Sequence, residues 1–207
     1  MSAEDGALVE PDFARAYGAK RAFGVDISQF RTEIAKLSGA DDVFISKWPT
    51  ATYVDSIEAS HEMAKEIINR FNLGDGADIV KECTGAESCV QAGVFATKKG
   101  GTYVQAGIGK ENVVFPITTA CVRALSIKGS IHYLTTGYFP SAIELIASGK
   151  INPRALITHR FDLADAREAF EHVKKGHDDT LKVMINGLSE SEFLRWTRNG
   201  FHSLGSP

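Results

Sequence analysis

Asp26 follows a short apolar run, Ala22–Val25, and a carboxylate in that place has a definite chemistry open to it. It can accept hydrogen bonds from both ribose hydroxyls of an adenine nucleotide. Its charge would also repel a 2′-phosphate, which favours NAD over NADP. The same residue reads equally well as a solvated loop carboxylate or a local helix cap. A glycine-rich phosphate loop, G-x-G-x-x-G, should precede such an acid by roughly 20 residues. Counting back reaches MSAEDGALVEPDF, where Gly6 is the only glycine and no strand precedes it.

Other chemistry-bearing patterns carry less. Gly74-Asp75-Gly76 precedes an apolar run instead of following one, so it reads as a turn. Gly107-Ile108-Gly109-Lys110 has no glycine five residues before Gly109 and no Ser or Thr after Lys110, which excludes a P-loop. His61-Glu62 with Lys65 gives H-E-x-x-K, a solvated helix face and not the H-E-x-x-H of a zinc protease. No G-x-S-x-G nucleophile elbow occurs. Cys83, Cys89 and Cys121 form no C-x-x-C pair, and reduced thiols are expected.

The elements that would position Asp26 alternate regularly. A helical piece around Phe13–Tyr17 ends at Gly18, and the strand Ala22–Val25 follows. Ser28 caps a helix reaching Leu37, and Gly39 closes it. Next come a strand Asp42–Ile45, a helix Tyr53–Phe71, a strand Ala77–Glu82 and a helix Glu87–Thr97. Gly100-Gly101 turns the chain into a strand Thr102–Ala106, followed by a helix Thr118–Ala124 and a strand Leu125–Tyr133. This rhythm predicts an α/β fold with a doubly wound parallel sheet, because parallel strands need crossover connections. It is Rossmann-like, with the first strand and glycine loop missing from the pattern. Beyond Tyr133 the rhythm changes to a helix Pro140–Ser148, an extended Ala155–Phe161, a helix Ala164–Lys175 and a strand Leu181–Ile185.

Composition narrows the function classes. The 207 residues carry a formal net charge of −3, with 43% hydrophobic and 24% charged residues, so wholesale disorder is excluded. That balance makes no electrostatic case for nucleic acid or an anionic membrane. No apolar run approaches the ~18–20 residues of a spanning helix. The start, MSAEDGALVEPD, is acidic and resembles neither a signal peptide nor a transit peptide, so a cytoplasmic location is expected.

Several segments in order give the sequence a family likeness from Phe13 to about Gly187. They are AYGAKRAFGVD at Ala16–Asp26, GADIVKECTG at Gly76–Gly85, GGTYVQAGIG at Gly100–Gly109, VFPI at Val114–Ile117 and IKGSIHY at Ile127–Tyr133. LITHRF at Leu156–Phe161, EAFEHVKKG at Glu168–Gly176 and LKVMI at Leu181–Ile185 complete the set. The chain resembles the C-terminal part of the zinc-type medium-chain dehydrogenases, closest to the polyol branch of sorbitol and xylitol (D-xylulose reductase) dehydrogenases. The resemblance implies a dinucleotide-binding domain over 12–133 and a C-terminal segment of the catalytic domain over 134–187. Residues 1–11 and 188–207 are unmatched.

Site residues follow from the same likeness. Asp26 matches the acid that holds the adenosine ribose, and Arg31 matches a basic residue reaching that ribose, with a solvated helix charge as its plain alternative. Cys83, Thr84 and Gly85 match the loop lining the adenine side. Ala106, Gly107 and Ile108 match the loop whose backbone faces the nicotinamide. Ser130, Ile131, His132 and Tyr133 match the segment touching cofactor and polyol together, with His132 and Tyr133 on the substrate. His132 stands where the polyol branch usually has Arg, which changes substrate handling.

The family cofactors are NAD and zinc, the metal acting as a Lewis acid on the substrate hydroxyl. The zinc ligands and proton-relay groups belong to a preceding domain that this sequence does not match, so no residue is assigned a catalytic or metal-binding role. Hydride transfer needs both halves, and the 207 residues alone are expected to be inactive on alcohols. Pairing of subunits through the sheet edge near Val114–Ile117 and Ile127–Tyr133 is a further implication. Three alternatives stand beside the dehydrogenase: a non-catalytic cofactor-binding or oligomerisation module, a truncated gene product, and a methyltransferase, whose sheet also places an acid after its second strand.

Overall fold

The computed structural model describes residues 10–47, 56–130, 137–189 and 191. Two compact units divide between Ala155 and Leu156.

In the first unit, α1 (Glu10–Ala16) leads through Gly18 into β1 (Phe23–Asp26). Gly18 takes φ +92°, a left-handed conformation that a side chain would resist, and its N–H donates to the Arg15 carbonyl. Ser28 sits in extended conformation at the start of α2 (Gln29–Leu37), and its hydroxyl accepts from the Arg31 N–H, the cap expected from sequence. β2 (Asp42–Ile45) pairs in parallel with β1, Asp26 opposite Ile45. Then come α3 (Ser56–Phe71), β3 (Ala77–Glu82), α4 (Glu87–Ala96) and β4 (Thr97–Gln105). A short α5 (Ile117–Val122), β5 (Ser126–Gly129) and α6 (Tyr138–Ala147) complete the unit.

Strands β3, β4 and β5 form one parallel ladder in that order, and β1 with β2 forms another. This is the parallel α/β architecture expected, drawn as two ladders instead of one continuous sheet. Among the described residues no strand pairs the β1–β2 ladder with the β3–β4–β5 ladder.

β4 begins at Thr97, earlier than the expected Thr102, because Ala77 already pairs with Thr97. The register then shifts before Ile79 meets Thr102. Gly100-Gly101 therefore bends a strand in progress and does not precede one. β5 covers Ser126–Gly129 of the expected Leu125–Tyr133.

The core lies between β3–β4 and the helices α4 and α5. Val90, Val94, Tyr103 and Ala120 are buried together, with Val80, Val113, Phe115 and Leu125 packed against them. α3 ties the two ladders to this core. Phe71 stacks on Phe23 of β1 at 4.4 Å between centroids, Ser46 donates to the Met63 thioether, and Ser60 donates to Gln91 of α4 at 2.9 Å. Ser60 and Gln91 are both fully buried, so each needs the other.

The second unit holds β6 (Ile157–Asp162), α7 (Ala166–Lys175) and β7 (Lys182–Asn186), with β6 and β7 parallel. Three imidazoles gather here at a tilt, His159 against His172 at 4.2 Å and His172 against His177 at 4.9 Å between centroids.

Candidate dinucleotide-binding edge

Asp26 is the last residue of β1 and Glu82 the last of β3. Cys89 lies near the start of α4, and the Glu82 and Asp26 charges both act to raise its thiol. Burial, acting before these charges, pushes that thiol above the usual cysteine range, which disfavours the thiolate.

The first half of the edge is built by the turn from β1 into α2. Asp26 Oδ1 accepts from the Ser28 N–H at 2.8 Å and from Arg31 Nε at 2.9 Å. Neither of these bonds uses Oδ2. Arg31 is 8% exposed, so it is a packed partner of Asp26 and not a solvated helix charge. The carboxylate is thereby oriented before any ligand arrives.

The second half is two loops that touch. After β3, the Glu82 side chain folds over its own turn. Oε1 accepts from the Thr84 N–H at 2.6 Å and from the Thr84 hydroxyl, and the Gly85 N–H donates to both oxygens at 3.0 and 2.9 Å. Oε2 also accepts from Gln105 Nε2 at 2.6 Å. The Glu82 carbonyl takes the N–H groups of Ala106 and Gly107, at 2.8 and 2.9 Å. Gln105 Nε2 donates a second bond to the Gly107 carbonyl at 2.8 Å, and its oxygen accepts from the Tyr103 hydroxyl at 2.5 Å. Burial holds that phenol far above the usual tyrosine range, so it stays a donor.

Backbone meets backbone where the loops cross. A Cβ on Gly109 would lie 1.9 Å from the Gly85 carbonyl oxygen, and one on Gly107 would lie 2.2 Å from the Gly85 nitrogen. Only glycine allows this approach.

Of the residues singled out from sequence, Asp26 and Arg31 are bonded together, and Cys83, Thr84, Ala106 and Gly107 lie on the two crossing loops, all half-buried except Arg31. Ile108 projects, 61% exposed, and Ser130 is exposed while its N–H donates to the Gln105 carbonyl. Ile131, His132 and Tyr133 lie outside the described residues.

Sequence reasoning missed Glu82 and Gln105. The available signal was an acid ending the strand ADIVKE, two residues before a Thr-Gly turn. The set-aside motifs behave as read. Glu62 pairs with Lys65 at 2.6 Å on an exposed face and His61 tilts on Phe95. Asp75 caps a turn, accepting from the Lys99 N–H.

The family profile of the zinc-binding dehydrogenases matches residues 11–148. The chain belongs to that family. Among curated relatives it is similar to D-xylulose reductase A of Aspergillus oryzae, 39% identical over 175 residues, covering 84% of this chain and 46% of the relative. This zinc-binding dehydrogenase chain thus spans about half the length of the curated relatives it matches. Solved structures share the fold. An L-idonate 5-dehydrogenase from Escherichia coli superposes with TM-score 0.67 at 23% identity, over 84% of this chain and 45% of that one. A short chain alcohol dehydrogenase from E. coli CFT073, complexed with NADH, gives TM-score 0.70 at 22% identity over 89% and 50%.

Zinc does not fit the residues in view. Among the described residues no group of three or more His, Cys, Asp or Glu is placed to hold a metal ion. Nor is any described helix long and apolar enough to cross a membrane.

Proposed function

We propose that this zinc-binding dehydrogenase chain is the NAD-holding part of a polyol dehydrogenase. The observation that carries the reading is the Asp26 carboxylate, fixed at the end of β1 by Ser28 and Arg31 with Oδ2 used by neither bond. An acceptor so held takes ribose hydroxyls without reorganising, and its charge disfavours a 2′-phosphate. NAD, when bound, supplies the hydride acceptor. The chain's own residues bind and orient it: Asp26 and Arg31 at the ribose, Cys83–Gly85 along the adenosine side and Ala106–Ile108 beside the nicotinamide, where small residues permit close approach.

The substrate class is a sugar alcohol such as xylitol or sorbitol, a reading supported by similarity to D-xylulose reductases. The proposal assigns cofactor binding to the described residues and no step in activating the alcohol. The purified 207 residues are therefore expected to bind NADH and to form none from xylitol or sorbitol with added zinc. Equilibrium titration with NADH, NADPH and S-adenosylmethionine tests this. Binding should rank NADH first. A preference for the methyl donor, or NADH formation from polyol by the chain alone, would overturn the corresponding half of the reading.

A further inference from the structure

Glu82 has more hydrogen-bonding work than a strand-end residue needs. It is 5% exposed, and every polar neighbour that bonds to its carboxylate is a donor. Three of those donors belong to Thr84 and Gly85 on the first loop, and the fourth is Gln105, which itself grips Gly107 on the second. An amide in its place has one accepting atom and one donating atom, so it cannot face donors with both.

We propose that Glu82 is the positioning residue of the cofactor edge. Through Gln105 it sets the spacing of the Cys83–Gly85 and Ala106–Gly109 loops, and so governs the nicotinamide half of the site separately from the ribose held by Asp26. The proposal rests on the dinucleotide reading for its ligand, but the loop geometry stands without it.

The consequence of Glu82→Gln is specific. If Oε1 remains oxygen, it still serves Thr84 and Gly85. The amide nitrogen that replaces Oε2 then faces Gln105 Nε2 and the Gly85 N–H, donor against donor, and Gly85 keeps only its bond to Oε1. Gln105 relieves this by flipping its own amide, which presents its oxygen to the substituted side chain and also to the Gly107 carbonyl. The first loop stays anchored, while the second keeps its backbone bonds to the Glu82 carbonyl and loses the Gln105 clamp on the Gly107 carbonyl. Gln105→Leu removes the same clamp by a different route and leaves the carboxylate in place.

The test uses the full chain, with NADH and AMP as ligands and backbone amide spectra as a second readout. In E82Q and in Q105L, NADH affinity should fall about tenfold, the size of one lost charge-assisted hydrogen bond, while AMP affinity stays within about twofold. Amide shifts should change over 105–109 and spare Asp26–Arg31. Equal losses for NADH and AMP, or shifts spread through the whole unit, would make Glu82 an ordinary fold staple and overturn the proposal. Unchanged affinities and unchanged 105–109 amides would overturn it too. If wild-type chain binds neither ligand, the dinucleotide reading fails. The amide spectra then decide alone whether Glu82 sets the loop spacing.

Discussion

Replacing Asp26 with Asn separates what this carboxylate does for the fold from what it does for a ligand. Asn keeps Oδ1, so the Ser28 N–H and Arg31 Nε, at 2.8 and 2.9 Å, retain an acceptor in place. What disappears is the charge opposite a guanidinium whose side chain is 10% exposed, beside a carboxylate at 14%. Deleting one partner of a fully buried pair costs about 3–5 kcal/mol, and keeping the acceptor in a partly wet site lowers this to about 2 kcal/mol. For a chain of this size that is a fall in melting midpoint of roughly 4–8 °C, which leaves a folded protein at room temperature. The ligand should lose a comparable amount. A hydroxyl donating to a charged acceptor is worth about 1.5–3 kcal/mol, so NADH affinity should drop between about 10- and 100-fold. NADPH, freed of repulsion, should lose less, and the ratio of the two affinities should move towards NADPH. Fluorescence titration with both nucleotides at room temperature reads these changes. A folded D26N chain that binds NADH within about twofold of wild type would refute the ribose role.

Three other outcomes follow from the geometry. Gly107→Ala would drive a methyl group to 2.2 Å from the Gly85 nitrogen, so the crossing loops must separate. Calorimetry should show a loss of about 2 kcal/mol or more, with no loss supporting a different loop arrangement. Tyr103→Ala removes a ring that is 1% exposed at the centre of the core, and denaturant melts should record a cost of about 3–5 kcal/mol. His172 is held below the usual histidine range of 6.5, first by desolvation and then by the His159 and His177 rings. Its proton binds the unfolded chain more tightly than the folded one. The second unit should therefore lose stability as pH falls below about 6.5, and H172Q should flatten that dependence in melts followed from about pH 7.5 to 5.5.

Much of this arrangement was legible in the sequence because it is local. Ser28 three residues before Arg31, Gly18 past a helix end and the alternation of apolar runs with amphipathic stretches each declare themselves within a few residues. Asp26 was legible by position, at the end of a strand. The parts that were not legible depend on distant pairing. Gln105 meets Glu82 across 23 residues, and Gly109 meets Gly85 only because β3 and β4 lie side by side. The early start of β4 at Thr97 also hides behind Gly100-Gly101, whose turn chemistry masks a strand that bends and continues. Arg31 read as an open choice between ribose ligand and surface charge, and only its burial against Asp26 distinguishes a packed partner from a solvated one.

The most direct test of the central claim, that these residues hold NAD, is a thermal melt of the 207-residue chain across a series of NADH concentrations. A ligand at 100 times its dissociation constant adds ~2.7 kcal/mol of stability, which moves the midpoint by several degrees. The account predicts one cooperative transition for the first unit that rises with NADH and rises less with NADPH. A cooperative transition that stays put as NADH is raised to millimolar levels would contradict it.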